Sequence, residues 1–326
     1  MSRVMQSVIK QYLFLTLIFV SFSSSISSEF DIKCKFAGKQ NTPFWAGDII
    51  AGTLEYTHSK YPEWNITNIR AVLFGMVSYK ARFFEKRSRH SYEFLRERLI
   101  LRPANGSKDL LPAFYNYSWP FSFRLDKSLP PTVQKIHSKS ANVYYYIMFL
   151  FERPEWYRKD LEKICSINIQ HLSSLTNAKQ VEERKKNGKG IHLHIILHKN
   201  IVVVGKTFSF TVNLQNWKKA LIHRISATLL QTVTGGRITK EKSVLYTQTL
   251  EGMHSFQNET FHQQFELPVP LIAASTWAAN SSFGFLKGKP LVVSHQLQVE
   301  AHIRGFYTNI RLKIPLTIIY TNETQN

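Results

Sequence analysis

The sequence predicts an all-β protein made of two tandem immunoglobulin-like β-sandwich domains. Short runs in which apolar and polar residues alternate fill most of the chain, and glycines and prolines that favour turns separate these runs. The length of 326 residues is enough for two domains of ordinary size. Hydrophobic residues make up 44% of the sequence, so each domain can build a core.

The clearest alternation lies in residues 119–154. Phe121, Phe123 and Leu125 are separated by polar residues, which is the period of a strand with one buried side. The pair Pro130-Pro131 follows and indicates a stiff turn, because proline cannot occupy a central strand. Residues 143–153 alternate again, so the segment predicts a strand, a proline turn and a second strand.

Alternating runs of the same kind occur in both halves of the chain. In the first half, Gly47-Asp48 predicts a turn before a strand, and Gly52 predicts one close approach within that strand. The other predicted strands of this half are 30–36, 69–80, 99–101 and 164–169. Those of the second half are 191–195, 205–216, 225–233, 265–270, 291–302 and 312–318.

The order of these motifs resembles that of the arrestin family, in particular the arrestin-domain-containing proteins or α-arrestins. The resemblance rests on 118–125, 143–154 and the Gly47–Gly52 strand in the first half, and on 205–216, 225–233 and 265–270 in the second. It implies an arrestin N-terminal-like β-sandwich at 29–175 and an arrestin C-terminal-like β-sandwich at 191–320. A basic linker at 176–190 and a short tail at 321–326 complete the expected organisation.

The resemblance also implies a function, that of a non-enzymatic adaptor or scaffold. Such a protein binds cargo or receptor tails in protein transport and sorting. The chain departs from many α-arrestins because it has no PPxY motif for the WW domains of ubiquitin ligases. Sorting through a ligase is therefore not implied.

Residues 1–28 have the pattern of a signal peptide. Arg3 and Lys10 precede an apolar run at 12–22, and the small residues of 23–28 follow it. The alternatives are an uncleaved anchor or an extension that never meets a translocon. Six Asn-x-Ser/Thr sequons are glycosylation candidates: Asn65, Asn105, Asn116, Asn258, Asn280 and Asn322.

The leader and the sequons favour the secretory pathway or the extracellular space, whereas the family resemblance favours the cytoplasm. They also support an alternative function, that of a secreted, glycosylated binding module for an anionic extracellular or lumenal ligand.

The formal net charge of +20 favours an anionic partner. A membrane-protein tail is one such partner, and no motif points specifically to nucleic acid. Two groups of cations are candidates for anion binding, although runs of charge often only face water. They are Lys86, Arg87 and Arg89 in the first half, and Arg184, Lys185, Lys186 and Lys189 in the predicted linker.

Cys34 and Cys165 each lie on the apolar side of a predicted strand. Two buried free thiols are the expectation, and a disulfide between the first and last strands of one domain is the alternative. His192 and His194 share one side of a strand, which we interpret as an outward polar surface and not as a metal site. No catalytic or cofactor motif is present, so the sequence predicts neither an enzyme nor a cofactor.

Overall fold

The computed structural model describes residues 30–38, 43–58, 64–83, 86–102, 110–111, 116–137, 140–153, 159–173, 177–188, 190–235, 238–251, 256–279, 290–304 and 309–321. Within these ranges the regular elements are all strands. They form two successive β-sandwiches, so the predicted all-β fold is confirmed. The predicted leader at 1–28 lies outside the described residues.

The first sandwich contains the strands β1 to β11. Their bounds are β1 (Phe30–Phe36), β2 (Phe44–Trp45), β3 (Ile49–His58), β4 (Trp64–Asn65), β5 (Asn68–Phe83), β6 (Lys86–Arg102), β7 (Leu110–Leu111), β8 (Asn116–Arg124), β9 (Asn142–Glu152), β10 (Leu161–Ile167) and β11 (Ile169–Gln170). One sheet has the antiparallel order β1-β3-β8, and the other has the antiparallel order β10-β9-β5-β6. Two short pairs, β11 with β2 and β4 with β7, complete this sandwich.

The core of the first sandwich uses the alternation seen in the sequence. Phe121 and Phe123 of β8 point towards Phe149 and Phe151 of β9, and all four side chains are almost fully buried. The rings of Phe121 and Phe149 meet edge to face, with centroids 5.1 Å apart. The predicted close approach is also present, because a Cβ atom added at Gly52 would meet the Phe121 ring at 2.6 Å.

A disulfide connects the two sheets of the first sandwich. It joins Cys34 of β1 to Cys165 of β10, whose Cα atoms are 6.6 Å apart, within the normal range for such a bond. The expectation of two free thiols was therefore wrong, and the alternative, a disulfide between the two cysteines, is what the structure shows. The two cysteines are 131 positions apart in the sequence, and their bond fixes the first strand of one sheet to the last strand of the other.

The second sandwich contains the strands β12 to β21. Their bounds are β12 (Val181–Lys186), β13 (Ile191–Leu197), β14 (Ile201–Val203), β15 (Thr207–Asn216), β16 (Ile222–Gly235), β17 (Ile238–Thr249), β18 (Thr260–Pro268), β19 (Trp277–Ala278), β20 (Val292–Ile303) and β21 (Ile310–Ile319). One sheet has the antiparallel order β12-β13-β15-β18. The facing sheet has the order β14-β21-β20-β16-β17, with β19 beside β20.

The segment predicted as a linker requires a correction. Residues 181–186 of the predicted 176–190 linker form β12, which pairs with β13 from Val181 opposite Leu197 to Lys186 opposite His192. Residues 182–186 are exposed, because β12 is the edge strand of its sheet. An edge strand of this kind needs no apolar alternation, since its backbone hydrogen bonds attach it to a buried neighbour.

Buried polar side chains connect the two sandwiches. The Gln170 side chain donates through Nε2 to the Thr132 carbonyl (3.0 Å) and accepts through Oε1 from the Ser275 amide (3.0 Å). The Ser275 hydroxyl also donates to Gln170 Oε1 and accepts from the His171 amide. Both Gln170 and Ser275 are almost fully buried, so these bonds satisfy groups that water cannot reach.

A second buried group, centred on His295, lies beside this connection. His295 Nε2 donates to Gln231 Oε1 (3.1 Å), and the Thr276 hydroxyl donates to His295 Nδ1 (2.8 Å). Gln231 Oε1 also accepts from the Ala274 amide, and the Thr276 hydroxyl accepts from the Ile318 amide. Burial lowers the pKa of His295 to about 3, so the ring is neutral and uses one nitrogen as donor and the other as acceptor.

Apolar contacts cross the same boundary. The core of the first sandwich includes Val233, Ala274, Leu291 and Val293, which all belong to the second half of the chain. Hydrophobic packing and polar bridges therefore act together at the junction of the two sandwiches.

Removing the disulfide is expected to destabilise the protein. The double variant Cys34→Ala/Cys165→Ala should lose about 2–5 kcal/mol of unfolding free energy. The reason is that the unfolded chain gains conformational entropy when the disulfide no longer closes a long loop. Urea denaturation followed by tryptophan fluorescence measures the difference. Reductant should lower the midpoint of the native protein and leave the double variant unchanged. Equal midpoints for the oxidised native protein and the double variant would contradict the prediction.

His295 is expected to make stability depend on pH. Its pKa is lowered from 6.5 to about 3, so below pH 6.5 the unfolded chain binds a proton that the folded protein excludes. The native protein should therefore lose stability as the pH falls from 6.5 towards 3, by at most about 1.4 kcal/mol per pH unit from this group.

Comparison with His295→Gln isolates this contribution. The stability advantage of the native protein over the variant, measured by urea denaturation, should shrink as the pH falls. A matched variant at an exposed histidine, His223→Gln, should follow the native profile. An advantage that stays constant from pH 7.5 to pH 4 would show that His295 is not the group responsible.

Candidate anion-binding face

The outward surface of the sheet β12-β13-β15-β18 follows from the alternation of its strands. On β13, Ile191, Leu193 and Ile195 are fully buried, so His192 and His194 point outward. On β15, the burial of Val212 and Leu214 turns Asn213 and Gln215 to the same side.

Strand register aligns these outward residues in rows across the sheet. Arg184 of β12 lies opposite His194, which lies opposite Asn213, which lies opposite His262 of β18. The next row contains Lys186, His192, Gln215 and Thr260. We call this surface the cationic face and define it by Arg184, Lys186, His192, His194 and His262.

A cleft of about 360 Å³ lies on the cationic face. The residues that line it are Arg184, Lys185, Lys186, His192, Leu193, His194, Asn213 and Gln215. Guanidinium, ammonium and imidazole groups therefore surround a floor that carries two amides. Such a set offers several hydrogen-bond donors to an anionic group.

One carboxylate of the protein already binds at the edge of this face. Glu182 accepts hydrogen bonds from Arg184 Nη2 (3.1 Å) and His194 Nε2 (3.0 Å) through Oε2, and from Gln180 Nε2 (3.1 Å) through Oε1. The hydrogen bond from Arg184 is the main cause that lowers the pKa of Glu182, and that from His194 is the next. Glu182 therefore stays ionised and shows which donors a carboxylate meets here.

Asn213 connects the two outer histidines of its row. Its Nδ2 donates to His194 Nδ1 (3.3 Å), and its Oδ1 accepts a short hydrogen bond from His262 Nδ1. Glu182, His194, Asn213 and His262 thus form one chain of hydrogen bonds. A change in the protonation of either imidazole alters what its neighbours can donate or accept.

The cations predicted from the sequence separate into different places. Arg184, Lys185 and Lys186 come together at the cleft, whereas Arg89 lies on β6 of the first sandwich. There Arg89 donates to the Ser78 hydroxyl and to Asn142 Oδ1, both at 2.7 Å. The side chains of Lys86 and Arg87, and the whole of Lys189, lie outside the described residues.

The sequence did not identify the remaining residues of the site. His192 and His194 were predicted to face outward, which is what the structure shows, but His262, Asn213 and Gln215 were not singled out. Alternation in 207–216 could have placed the two amides outward, yet only the register joins them to the basic residues. Within the described ranges, no group of three His, Cys, Asp or Glu side chains could hold a metal ion.

A second group of cations lies on the opposite sheet of the same sandwich. The positive charge of Lys313 is the main cause that lowers the pKa of Lys242. Arg311 is neutralised by Glu300, which it contacts through Nε (2.8 Å) and Nη2 (3.0 Å). Lys185 reaches round the sheet edge to the Arg311 carbonyl at 3.3 Å, so basic residues extend from the cationic face to this group.

Two of the glycosylation candidates have described side chains. Asn116 begins β8 and Asn258 precedes β18, and both are exposed. Asn116 accepts a hydrogen bond from the Thr57 hydroxyl through Oδ1 at 2.8 Å. The side chain of Asn65, and all of Asn105, Asn280 and Asn322, lie outside the described part of the chain. In that part no helix is long and apolar enough to span a membrane.

Comparison with known proteins finds a similarity in the second half of the chain. Residues 187–323 match the family model described as "Arrestin (or S-antigen), C-terminal domain". No curated protein matches the chain significantly. The first sandwich lies outside the match, which covers β13 to β21. The second sandwich is therefore similar to the arrestin C-terminal domain, and this similarity supports the arrestin family for the chain.

Proposed function

We propose that the protein is a non-enzymatic adaptor of the arrestin type and binds an anionic protein partner on its cationic face. The family match supports an adaptor or scaffold role in general, because arrestins are non-enzymatic adaptors that bind protein partners. In this proposal the first sandwich is an arrestin N-terminal domain of the α-arrestin kind. The partner is a cargo protein or a receptor tail in transport and sorting.

The observation that carries the proposal is the concentration of donors around the cleft. Arg184 has 73% of its side chain exposed, so most of its guanidinium is accessible to a partner. Lys186 and the two imidazoles of β13 lie in the same cleft. Charged groups on a rigid sheet steer an oppositely charged partner and fix its orientation.

A second candidate function is a secreted, glycosylated binding module with the same fold. The disulfide between Cys34 and Cys165 favours it, because disulfides persist in oxidising compartments and are rare in the cytosol. The exposed sequon asparagines Asn116 and Asn258 and the predicted leader agree with this location. The ligand would then be an extracellular or lumenal anion.

Charge reversal on the cationic face is expected to weaken binding of an acidic partner. The variant Arg184→Glu/Lys186→Glu should bind a fluorescent poly-glutamate peptide roughly ten-fold more weakly at pH 7, because two attractive charges become repulsive. Fluorescence anisotropy at low salt measures the affinity.

The matched control reverses two exposed lysines of the first sandwich, in Lys135→Glu/Lys159→Glu. This variant has the same net charge as the first one and should keep most of the native affinity. If both variants lost the same amount of affinity, binding would depend only on net charge. The cleft would then not be the binding site.

Expression in animal cells separates the two candidate functions. A secreted module should appear in the medium, begin near Ser28 or Glu29, and shift to lower mass on glycosidase treatment. The variant Asn116→Gln/Asn258→Gln should show a smaller glycosidase shift than the native protein, because two exposed acceptors are absent. A product that stays in the cytosol, keeps Met1 and shows no glycosidase shift would exclude the secreted module and favour the cytoplasmic adaptor.

A further inference from the structure

We infer that the cationic face binds an acidic peptide in an extended conformation, and that this binding strengthens as the pH falls and the histidines of the face take up protons. The inference rests on the proposed function, since it names the chemistry of the partner and the condition that favours binding. Four features of the described residues carry it: a carboxylate already bound, the spacing of the cations, the set of charges, and the hydrogen bonds of Asn213.

The bound carboxylate is that of Glu182. It occupies donors of Arg184 and His194 that also border the cleft. A carboxylate of another chain would meet the same kind of donor at Lys186 and His192, one row further along. Glu182 is therefore both an example of the ligand group and an internal competitor for it.

The spacing of the donors matches an extended peptide. Arg184 and Lys186 are two residues apart on β12, as are His192 and His194 on β13, so each pair repeats at about 6.6–6.8 Å. Alternate side chains of an extended peptide repeat at the same distance. Acidic residues at every second position would thus face successive rows. The cleft lining has no phenylalanine, tyrosine or tryptophan on which a nucleic-acid base could stack.

The charges of the face change with pH because histidine is the side chain that gains a proton between about pH 8 and pH 5. The titratable and charged groups on this side of the sheet are Glu182, Arg184 and Lys186 of β12, His192 and His194 of β13, and His262 of β18, with His198 and Glu266 further along. With neutral histidines, the three cations Arg184, Lys185 and Lys186 line the cleft, and one carboxylate, that of Glu182, contacts them through Arg184. Protonation of the three imidazoles adds up to three positive charges.

The hydrogen bonds of Asn213 give protonation of His194 a local effect. At present, His194 Nδ1 accepts from Asn213 Nδ2, and His194 Nε2 donates to Glu182. A proton on Nδ1 turns that acceptor into a donor, so the bond from Asn213 is lost and the new N–H needs an acceptor. An oxygen of the incoming peptide can supply it, which strengthens binding in the protonated state.

The sign follows from linkage. An anionic ligand binds the protonated face better, so its affinity rises as the pH falls through the range in which the histidines protonate. The rise should stop near pH 4.3, where about half of the glutamate side chains of the peptide have lost their charge. Measurements at pH 7.5 and pH 5.5 therefore sample the change in the protein and not that in the ligand.

The experiment uses the full chain and a fluorescent peptide of alternating glutamate and serine. Its affinity, measured by anisotropy, should be about three- to thirty-fold higher at pH 5.5 than at pH 7.5. The variant His192→Gln/His194→Gln should lower this ratio, and adding His262→Gln should bring it to near one. The matched control His223→Gln/His302→Gln, on the opposite sheet of the same sandwich, should keep it. Glu182→Gln should bind more tightly than the native protein at both pH values, because the internal competitor has lost its charge.

Several outcomes would overturn the inference. One is an affinity independent of pH, and another is a pH dependence that is undiminished in His192→Gln/His194→Gln while its thermal unfolding is native-like. If a peptide of the same composition with contiguous glutamates bound as tightly as the alternating peptide, binding in an extended conformation with acidic residues at every second position would be rejected. If phosphatidylserine vesicles or heparin bound at the cleft more tightly than the peptide, an acidic peptide would be rejected as the ligand of the face.

The failure of the inference is distinct from the failure of the proposed function. If Arg184→Glu/Lys186→Glu abolishes peptide binding but the affinity of the native protein does not vary with pH, the proposed adaptor function stands and the histidine mechanism is rejected. If this charge reversal does not weaken peptide binding, both the proposed binding function of the cationic face and the histidine mechanism are rejected.

Discussion

The pairing of β12 with β13 is the interaction on which the cationic face depends. β12 has exposed side chains at every position from Glu182 to Lys186, and Val181 alone of its residues packs against the core. Its attachment comes from the backbone ladder to β13, a strand whose inward residues are fully buried in the core. The ladder sets Arg184 beside His194 and Lys186 beside His192. A site built in this way is positioned by a rigid sheet, although most of its functional atoms are exposed.

Polar groups serve two different purposes in this molecule. At the junction of the sandwiches, Gln170, Ser275 and His295 are buried, and the described hydrogen bonds satisfy their side chains from within the protein. Breaking one of these bonds would leave a buried group without a partner, which makes the arrangement of the sandwiches specific. On the cationic face, by contrast, Arg184 is exposed and only partly engaged by Glu182. Its remaining donors are accessible to a ligand from outside.

The disulfide and the family match bear on different questions. The match concerns the second sandwich, which is similar to the arrestin C-terminal domain. The disulfide lies in the first sandwich, where β1 pairs with β3 at the edge of its sheet as the described strands have it, and it fixes that strand to the opposite sheet. Its chemistry concerns the compartment in which the chain folds, and a lumenal setting is compatible with the same cationic face. An adaptor and a secreted module would therefore share one binding surface and differ in the partner that can reach it.

The sequence by itself determined the strands that bury one side. Alternation predicted the Phe121 and Phe149 strands, the close approach at Gly52 and the outward direction of His192 and His194, because each depends on residues near in sequence. The tertiary structure alone decided that 181–186 form a strand, that Cys34 meets Cys165, and that Arg184, His194, Asn213 and His262 share a row. An exposed edge strand is selected by backbone hydrogen bonds, which leave no pattern in the side chains. Register between distant strands is likewise set by how the whole sandwich packs, so no local segment of the sequence contains it.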